Sequence, residues 1–339
     1  MHDADGAYSG RLAPLFGTFD ALGFRITVSA FAFWADWARD GASWDTWRSP
    51  AAAARGEVPV AVPFCDPDEG AFYQALEGRG HELALHSPSD TSSVREDVIR
   101  AFDAFTRRFG HPPKVYVEHS SRSNKDALGH EGADPSSPYY CLDLLRDFAP
   151  WIWVDEDGAL RDDPDEKFFE IPPGADFTNT SAASRYRLPK AFLRTGRWTA
   201  PGGEGFLTSY SMENLRMLEN DGGCALAYTH LNDGWLDPAT GRMRTEIRER
   251  LEYLSTRAGW FAPAGEILDR AEAVDKVRVT DHGESVTASN LGHRAIDRLL
   301  LTNAVVGSDL VIGTLAPGAS RTVAIATGQA IASSVSGVA

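Results

Sequence analysis

The sequence predicts a parallel α/β barrel followed by a small all-β module, and three observations carry that expectation. Apolar strand-like runs alternate with amphipathic helical runs seven or so times between Met1 and Ala273. Four of the strand-like runs end in a titratable or metal-capable group, Asp66, His86, His119 and His230, with Asp155 as a fifth, and in parallel α/β folds that rim is where chemistry sits. Beyond Ala273 the texture changes to short Val-, Leu- and Ile-rich runs separated by Gly, Asn, Asp and Pro, the pattern of a small β-sandwich. The boundary divides the chain into residues 1–273 and 274–339.

The stretch that organises the rest is Gly80–Asp90. Leu83 and Leu85 alternate with Ala84 and His86, the period of a strand, and Ser87-Pro88 ends it. His86 therefore closes a buried strand, with Asp90 in the loop beyond, and a histidine and a carboxylate at that spacing can share one divalent metal. Taken in order, the chain opens with Asp3 and Asp5, which a strand would point to the same side. Leu12, Leu15, Phe16, Phe19 and Leu22 recur at helical spacing up to Gly23, and residues 24–33 read as a strand. Trp34, Trp37, Trp44 and Trp47 crowd the next segment, where aromatics can stack on a sugar face or fill a core. Residues 58–64 read as a strand closed by Cys65-Asp66-Pro67, and residues 69–77 as a helix. Ser93 and Glu96 have capping-box spacing ahead of a helix with Val94, Val98, Phe102, Phe105 and Phe109 on one face and Gly110 as its stop. Strands are expected at 115–119 and 151–154, with a helix from Ser137-Pro138 to Phe148 between them. Residues 156–210, rich in Pro, Gly and Arg, read as long loops. A helix opened by Ser211, a strand at 224–229 ending in His230, a helix at 245–258, a short strand at 260–262 and a helix at 263–273 complete the first unit. No internal repeat is evident.

Composition narrows the function classes. The chain has 339 residues and a formal net charge of −15, which opposes a nucleic-acid or anionic-membrane surface, because phosphate binding needs a positive field. No run of about 18 apolar residues is present to span a bilayer. No basic-then-apolar leader opens the sequence, so as written it reads as cytoplasmic, with an incomplete N-terminus as the alternative explanation of so short a first strand. Cys65, Cys141 and Cys224 are widely spaced and read as reduced thiols. Oligomeric state is not legible.

These residues resemble the polysaccharide deacetylase superfamily, the chitooligosaccharide deacetylase homology domain of carbohydrate esterase family four. His2-Asp3-Ala4-Asp5 is similar to its first motif and Gly80-His81-Glu82-Leu83-Ala84-Leu85-His86-Ser87 to its second. Tyr228-Thr229-His230 and Gly259-Trp260-Phe261-Ala262-Pro263-Ala264-Gly265-Glu266 are similar to its late segments. The resemblance covers roughly residues 1–273 and implies a distorted (β/α)7 barrel and a hydrolase that removes an N-acetyl or related acyl group from an amino sugar or glycan. It implies Asp3 as the catalytic base, His230 as the general acid, and Asp5 and His86 as ligands of a divalent metal. Asp90 stands where the family places its second metal histidine. An Asp-His-Asp set suits zinc first, with Mn, Fe or Co as alternatives. In place of the family's third motif the chain has Val117-Glu118-His119-Ser120, which makes His119 a substitute ligand or a substrate contact. Asn124, Arg194, Asp233 and Trp235 are further candidates for substrate contact, while His81 and Glu82 read as residues that hold the strand in place. Two other readings fit the departures: a degenerate barrel that binds a glycan or a protein partner without turnover, and a hydrolase of a non-sugar C–N bond.

Overall fold

A computed structural model describes residues 1, 8–34, 61–119, 124–148, 150–153, 190–192, 202–221, 225–226, 229–302, 309–324 and 334–337. Its centre is a parallel sheet of β1 (Thr27–Ala30), β2 (Glu82–His86), β3 (Val115–Val117), β4 (Trp151–Trp153) and β5 (Ala191–Phe192), hydrogen-bonded in that order. Strands adjacent in sequence are adjacent in space, so every connection steps the same way along the sheet. Among the described residues the sheet is open, and ring closure into a barrel is not seen.

The helices follow from local chemistry. α1 (Ser9–Ala21) buries Leu12, Leu15, Phe16 and Phe19, the positions its helical period puts on one face. α2 (Pro67–Gly78) starts because Asp66 accepts from the backbone N–H groups of Asp68 and Glu69, with Pro67 at the first helical position. α3 (Arg95–Phe109) buries Val98, Ala101, Phe102 and Phe105 and ends at Gly110, whose φ of 83° is the left-handed turn a glycine takes most readily. α4 (Leu142–Phe148), α5 (Gly203–Ser209), α6 (Met212–Asp221), α7 (Thr245–Ser255) and α8 (Ala264–Asp275) follow.

Both faces of the parallel sheet are buried, as the near-continuous apolar strands require. Leu83, Leu85, Tyr116 and Ile152 join the core built by α1, α2 and α3. Ala84, Val115, Val117, Trp151 and Trp153 face the other way and pack with Leu226, Ala264, Leu268 and Met1. By strand parity Glu82 and His86 lie on this second face. After α8, β6 (Val277–Asp281), β7 (Ser285–Asn290), β8 (Ile296–Thr302), β9 (Asp309–Leu315), β10 (Ser320–Ala324) and β11 (Ser334–Gly337) form two antiparallel sheets ordered β10-β7-β6 and β11-β8-β9. They share a core of their own around Val286, Ala288, Ile296, Leu299, Ile312 and Leu315.

Several sequence expectations shift. Asp66 caps a helix instead of ending a strand, and residues 61–64 carry no ladder beyond the Phe64 N–H bond to the Phe31 carbonyl. The Ser93–Glu96 capping box does not form, because the Ser93 N–H is taken by Asp126 and its hydroxyl by the Thr91 carbonyl, so Val94 precedes the helix instead. α4 begins at Leu142 and not at Pro138: Ser137 is held by Glu131, and the N–H groups of Cys141 and Leu142 both bond the Gly132 carbonyl. Residues 260–262 form no strand; Phe261 packs on Phe24 with ring centres 4.9 Å apart.

Candidate functional site

The site grows from the carboxyl ends of β2 and β3. His86, the last residue of β2, is fully buried. Ser87 then turns the chain with a φ of 43°, a conformation that costs a residue with a Cβ about 1–2 kcal/mol. The turn is held from both sides. Ser87 donates its N–H to the Val117 carbonyl at 3.0 Å, and the Pro88 carbonyl accepts from Ala32 and Phe33 beyond β1. The Ser87 hydroxyl lies 3.3 Å from the Tyr116 hydroxyl and accepts the His119 backbone N–H at 3.1 Å. One serine thus fixes the ends of two neighbouring strands against each other.

That turn brings Asp90 and His119 together, with Asp90 Oδ1 3.5 Å from His119 Nε2. Both side chains are almost completely shielded from solvent. The His86 and His119 rings stand edge to face with centres 5.2 Å apart, and Phe31 packs on both at 4.7 and 5.4 Å. Around them lies a shell of buried hydroxyls and acids. Ser89 bonds Thr91 and Ser93; Asp126 accepts the Ser93 N–H; Ser92 accepts the Lys125 N–H; and Glu118 accepts the Leu128 N–H. Asn124 is buried in the same wall. Burial, with the Cys141 thiol and the Asp126 carboxylate nearby, pushes the Tyr116 hydroxyl well above its ordinary value, so it stays a neutral hydrogen-bonding group.

Two imidazoles and a carboxylate are the donor chemistry of a divalent-cation site. Among the described residues, however, no group of three or more His, Cys, Asp and Glu side chains is placed to hold a metal ion. Asp3, Asp5, Asp155 and Arg194 lie outside the described residues. His230 is half-buried, and the residue before it, Thr229, donates its N–H to the Met1 carbonyl at 3.1 Å. Met1 itself packs against the face that carries Ala84, Val117 and Trp153. Asp233 is exposed and its carbonyl accepts from Gly203. Trp235 departs from the expectation of a rim aromatic: it is 2% exposed, packs on Phe206 and Phe19, and donates its indole N–H to Thr229. Its core contacts account for it. Trp34, just beyond β1, is about half exposed, and Trp37, Trp44 and Trp47 lie outside the described residues.

Sequence reasoning missed Tyr116, Asp126 and Phe31. The first two carry a usable signal, since Tyr116 is a polar aromatic on a buried strand and Asp126 follows the candidate Asn124 by two positions. Phe31 carries none, because an aromatic after a strand is ordinary core.

No family model matches the sequence, and no curated protein matches it. Among solved structures, a glycoside hydrolase 29 family member from an unknown rumen bacterium aligns with 96% of this chain at 12% identity and a TM-score of 0.34. A protein of Bacteroides ovatus named for alpha-L-fucosidase activity aligns with 99% at 10% identity and a TM-score of 0.36. The chain spans 66% of the length of each. At this level neither likeness fixes a fold or an activity.

Proposed function

We propose that the chain is a hydrolase working at the rim of β2 and β3, and that it removes an acyl group, N-acetyl foremost, from an amino sugar or glycan with a divalent cation, zinc first, as cofactor. We read the five sequential parallel strands as an arc of a (β/α)7 barrel of the polysaccharide deacetylase type, with residues 274–339 as a separate β domain. The observation that supports the activity is the gathering of His86, Asp90 and His119 as one buried cluster at strand ends. The hydrogen bond from Thr229 to Met1 adds to it, because it ties the start of the chain to the residue preceding His230.

In this reading Asp5, His86 and Asp90 hold the cation, and the donor types fit a hard to borderline ion. When bound, the cation polarises the acyl carbonyl and lowers the pKa of water. Asp3 takes the proton from the attacking water, and His230 returns one to the departing nitrogen. His119, Asn124, Arg194 and Asp233 contact the substrate. The test is acetate release from N-acetylated chitooligosaccharides by zinc-loaded protein. Loss of release on chelation, with recovery on adding zinc back, and loss in Asp3→Asn are expected. Release indifferent to both, or none from any N-acylated saccharide, rejects the reading.

Asp90 in place of a second metal histidine, and Val117-Glu118-His119-Ser120 in place of the third motif, favour a second reading, a barrel that binds glycan or a protein partner without turnover. Saccharide binding by calorimetry with no hydrolysis and no bound metal is its signature.

A further inference from the structure

We infer that Trp34 is the stacking platform for the saccharide, set at the same end of the sheet as His86, Asp90 and His119, and that it governs how tightly the sugar is held. The inference rests on the reading that a saccharide is handled at this rim, and deepens it by naming a side chain that binds the sugar ring itself. The placement of the residue carries it. β1 and β2 run parallel with Ala30 paired to Leu85, so the chain leaving β1 emerges at the end of the sheet where His86 closes β2. Phe31, the first residue out, packs on the His86 and His119 rings with centres 4.7 and 5.4 Å away. Trp34 follows three positions later, and a stretch of that length keeps its Cα within about 11 Å of that of Phe31.

The segment between them is held from three sides. The Phe31 carbonyl accepts the Phe64 N–H at 2.9 Å, and the Pro88 carbonyl accepts the N–H groups of Ala32 and Phe33 at 3.0 and 2.9 Å. The Arg100 guanidinium lies over the Phe33 ring, 4.9 Å from its centre. Pro88 is two residues from Asp90, so Trp34 is tied to the loop that carries that carboxylate. From this fixed backbone the Trp34 side chain is 51% exposed, the most of any Phe or Trp among the described residues. Singly exposed apolar side chains are ordinary, but tryptophan is on average highly buried, and here it stands open beside a buried polar cluster. An indole presents a flat apolar face and one N–H donor. A pyranose ring is its complement, with C–H groups on a face and hydroxyls around the edge.

The test titrates full-length protein with N-acetylated chitooligosaccharide, by calorimetry and by NMR of the indole N–H groups. The Trp34 resonance is identified by its absence from the spectrum of Trp34→Phe. Trp34→Ala is expected to bind about ten-fold more weakly, as the loss of a buried apolar face implies, while Trp34→Phe stays within about three-fold of the parent because it keeps a ring. Where turnover is measured, the loss in Trp34→Ala is expected in KM rather than in kcat. The Trp34 indole resonance is expected to shift as the saccharide saturates. Should Trp34→Ala fail to fold, that shift in the unaltered protein decides. Saccharide binding with an unmoved Trp34 resonance, undiminished affinity in a folded Trp34→Ala, or a change in self-association in place of affinity overturns this inference alone. No saccharide binding by the unaltered protein overturns it together with the glycan-directed reading.

Discussion

Replacing Glu82 by glutamine separates the scaffold end of β2 from its chemical end. Glu82 Oε1 accepts the Thr27 hydroxyl at 2.7 Å and the Gly265 N–H at 2.9 Å, and the Thr27 oxygen accepts the Ala264 N–H at 2.6 Å. Two of the N–H groups that open α8 are thereby satisfied from β1 and β2. Burial pushes the Glu82 carboxyl above its ordinary value of 4.5, against the Gly265 N–H and the Thr27 hydroxyl, which pull it down. Desolvation therefore outweighs the hydrogen bonds in the ionised state. With the folded value raised, the folded protein holds more protons than the unfolded chain above pH 4.5, so stability is full below that pH and falls as pH rises through the folded value. Each unit of such a shift is worth about 1.4 kcal/mol.

Glutamine keeps an oxygen for both donors and cannot ionise. Glu82→Gln is expected to match the parent near pH 4.5 and to exceed it in stability at pH 8, with a difference that grows with pH and then levels. Glu82→Ala leaves the Thr27 hydroxyl and the Gly265 N–H without their acceptor and is expected to cost about 3–6 kcal/mol, two charge-assisted bonds at about 1.5–3 each. Urea unfolding followed by tryptophan fluorescence between pH 4.5 and 8 measures both. A Glu82→Gln curve that runs parallel to the parent at every pH, or falls below it at pH 8, refutes the reasoning.

Two further substitutions test the local readings. Asp66→Ala removes the cap on α2 and is expected to cost about 1 kcal/mol in unfolding free energy while leaving any rim activity unchanged; loss of activity without loss of stability would return Asp66 to the site. Ser87→Ala and Ser87→Gly both lose the hydroxyl that holds His119, but only glycine relieves the left-handed turn. The glycine variant is expected to be more stable than the alanine variant by about 1 kcal/mol in urea unfolding, and equal stabilities would deny the strain.

Where local chemistry decided the outcome, the sequence was legible. The alternation of Leu83 and Leu85 with Ala84 and His86 marked β2, and the apolar stripe of α3 with its glycine stop marked that helix to its last residue. The same signals failed where a distant partner won. Ser93 has the spacing of a capping box, yet Asp126, 33 residues on, takes its N–H. Ser137-Pro138 has the chemistry of a helix start, but Glu131 and the Gly132 carbonyl divert it into a turn. Asp66 was misread for another reason: a carboxylate before proline ends a strand and caps a helix equally well, and only the chain geometry separates the two. At the site, the gathering of His86 and Asp90 near a strand end was visible in the alternation. His119 was placed on the same rim from the end of its strand, but its contact with Asp90 follows from the parallel register that pairs His86 with Val117.

That register also explains why one short stretch serves three ends. His81, just ahead of β2, points to α1, where its Nε2 meets Asp20 at 3.1 Å and its Nδ1 accepts the Ile26 N–H; burial holds its imidazole below the ordinary value against the pull of Asp20. Glu82 and His86 share a strand face but sit about 13 Å apart along it. The first therefore reaches the N-terminus of α8 while the second reaches the rim. A Cβ on Gly265 would stand 2.2 Å from Glu82 Oε2, so a side chain there would have to displace the Glu82 carboxylate from the Gly265 N–H. An acceptor oxygen at Glu82 and the missing side chain at Gly265 thus serve packing, whereas the role proposed for His86 is chemical. Similar polarity along five residues of strand carries separate physical jobs, and strand parity with strand length is what assigns them.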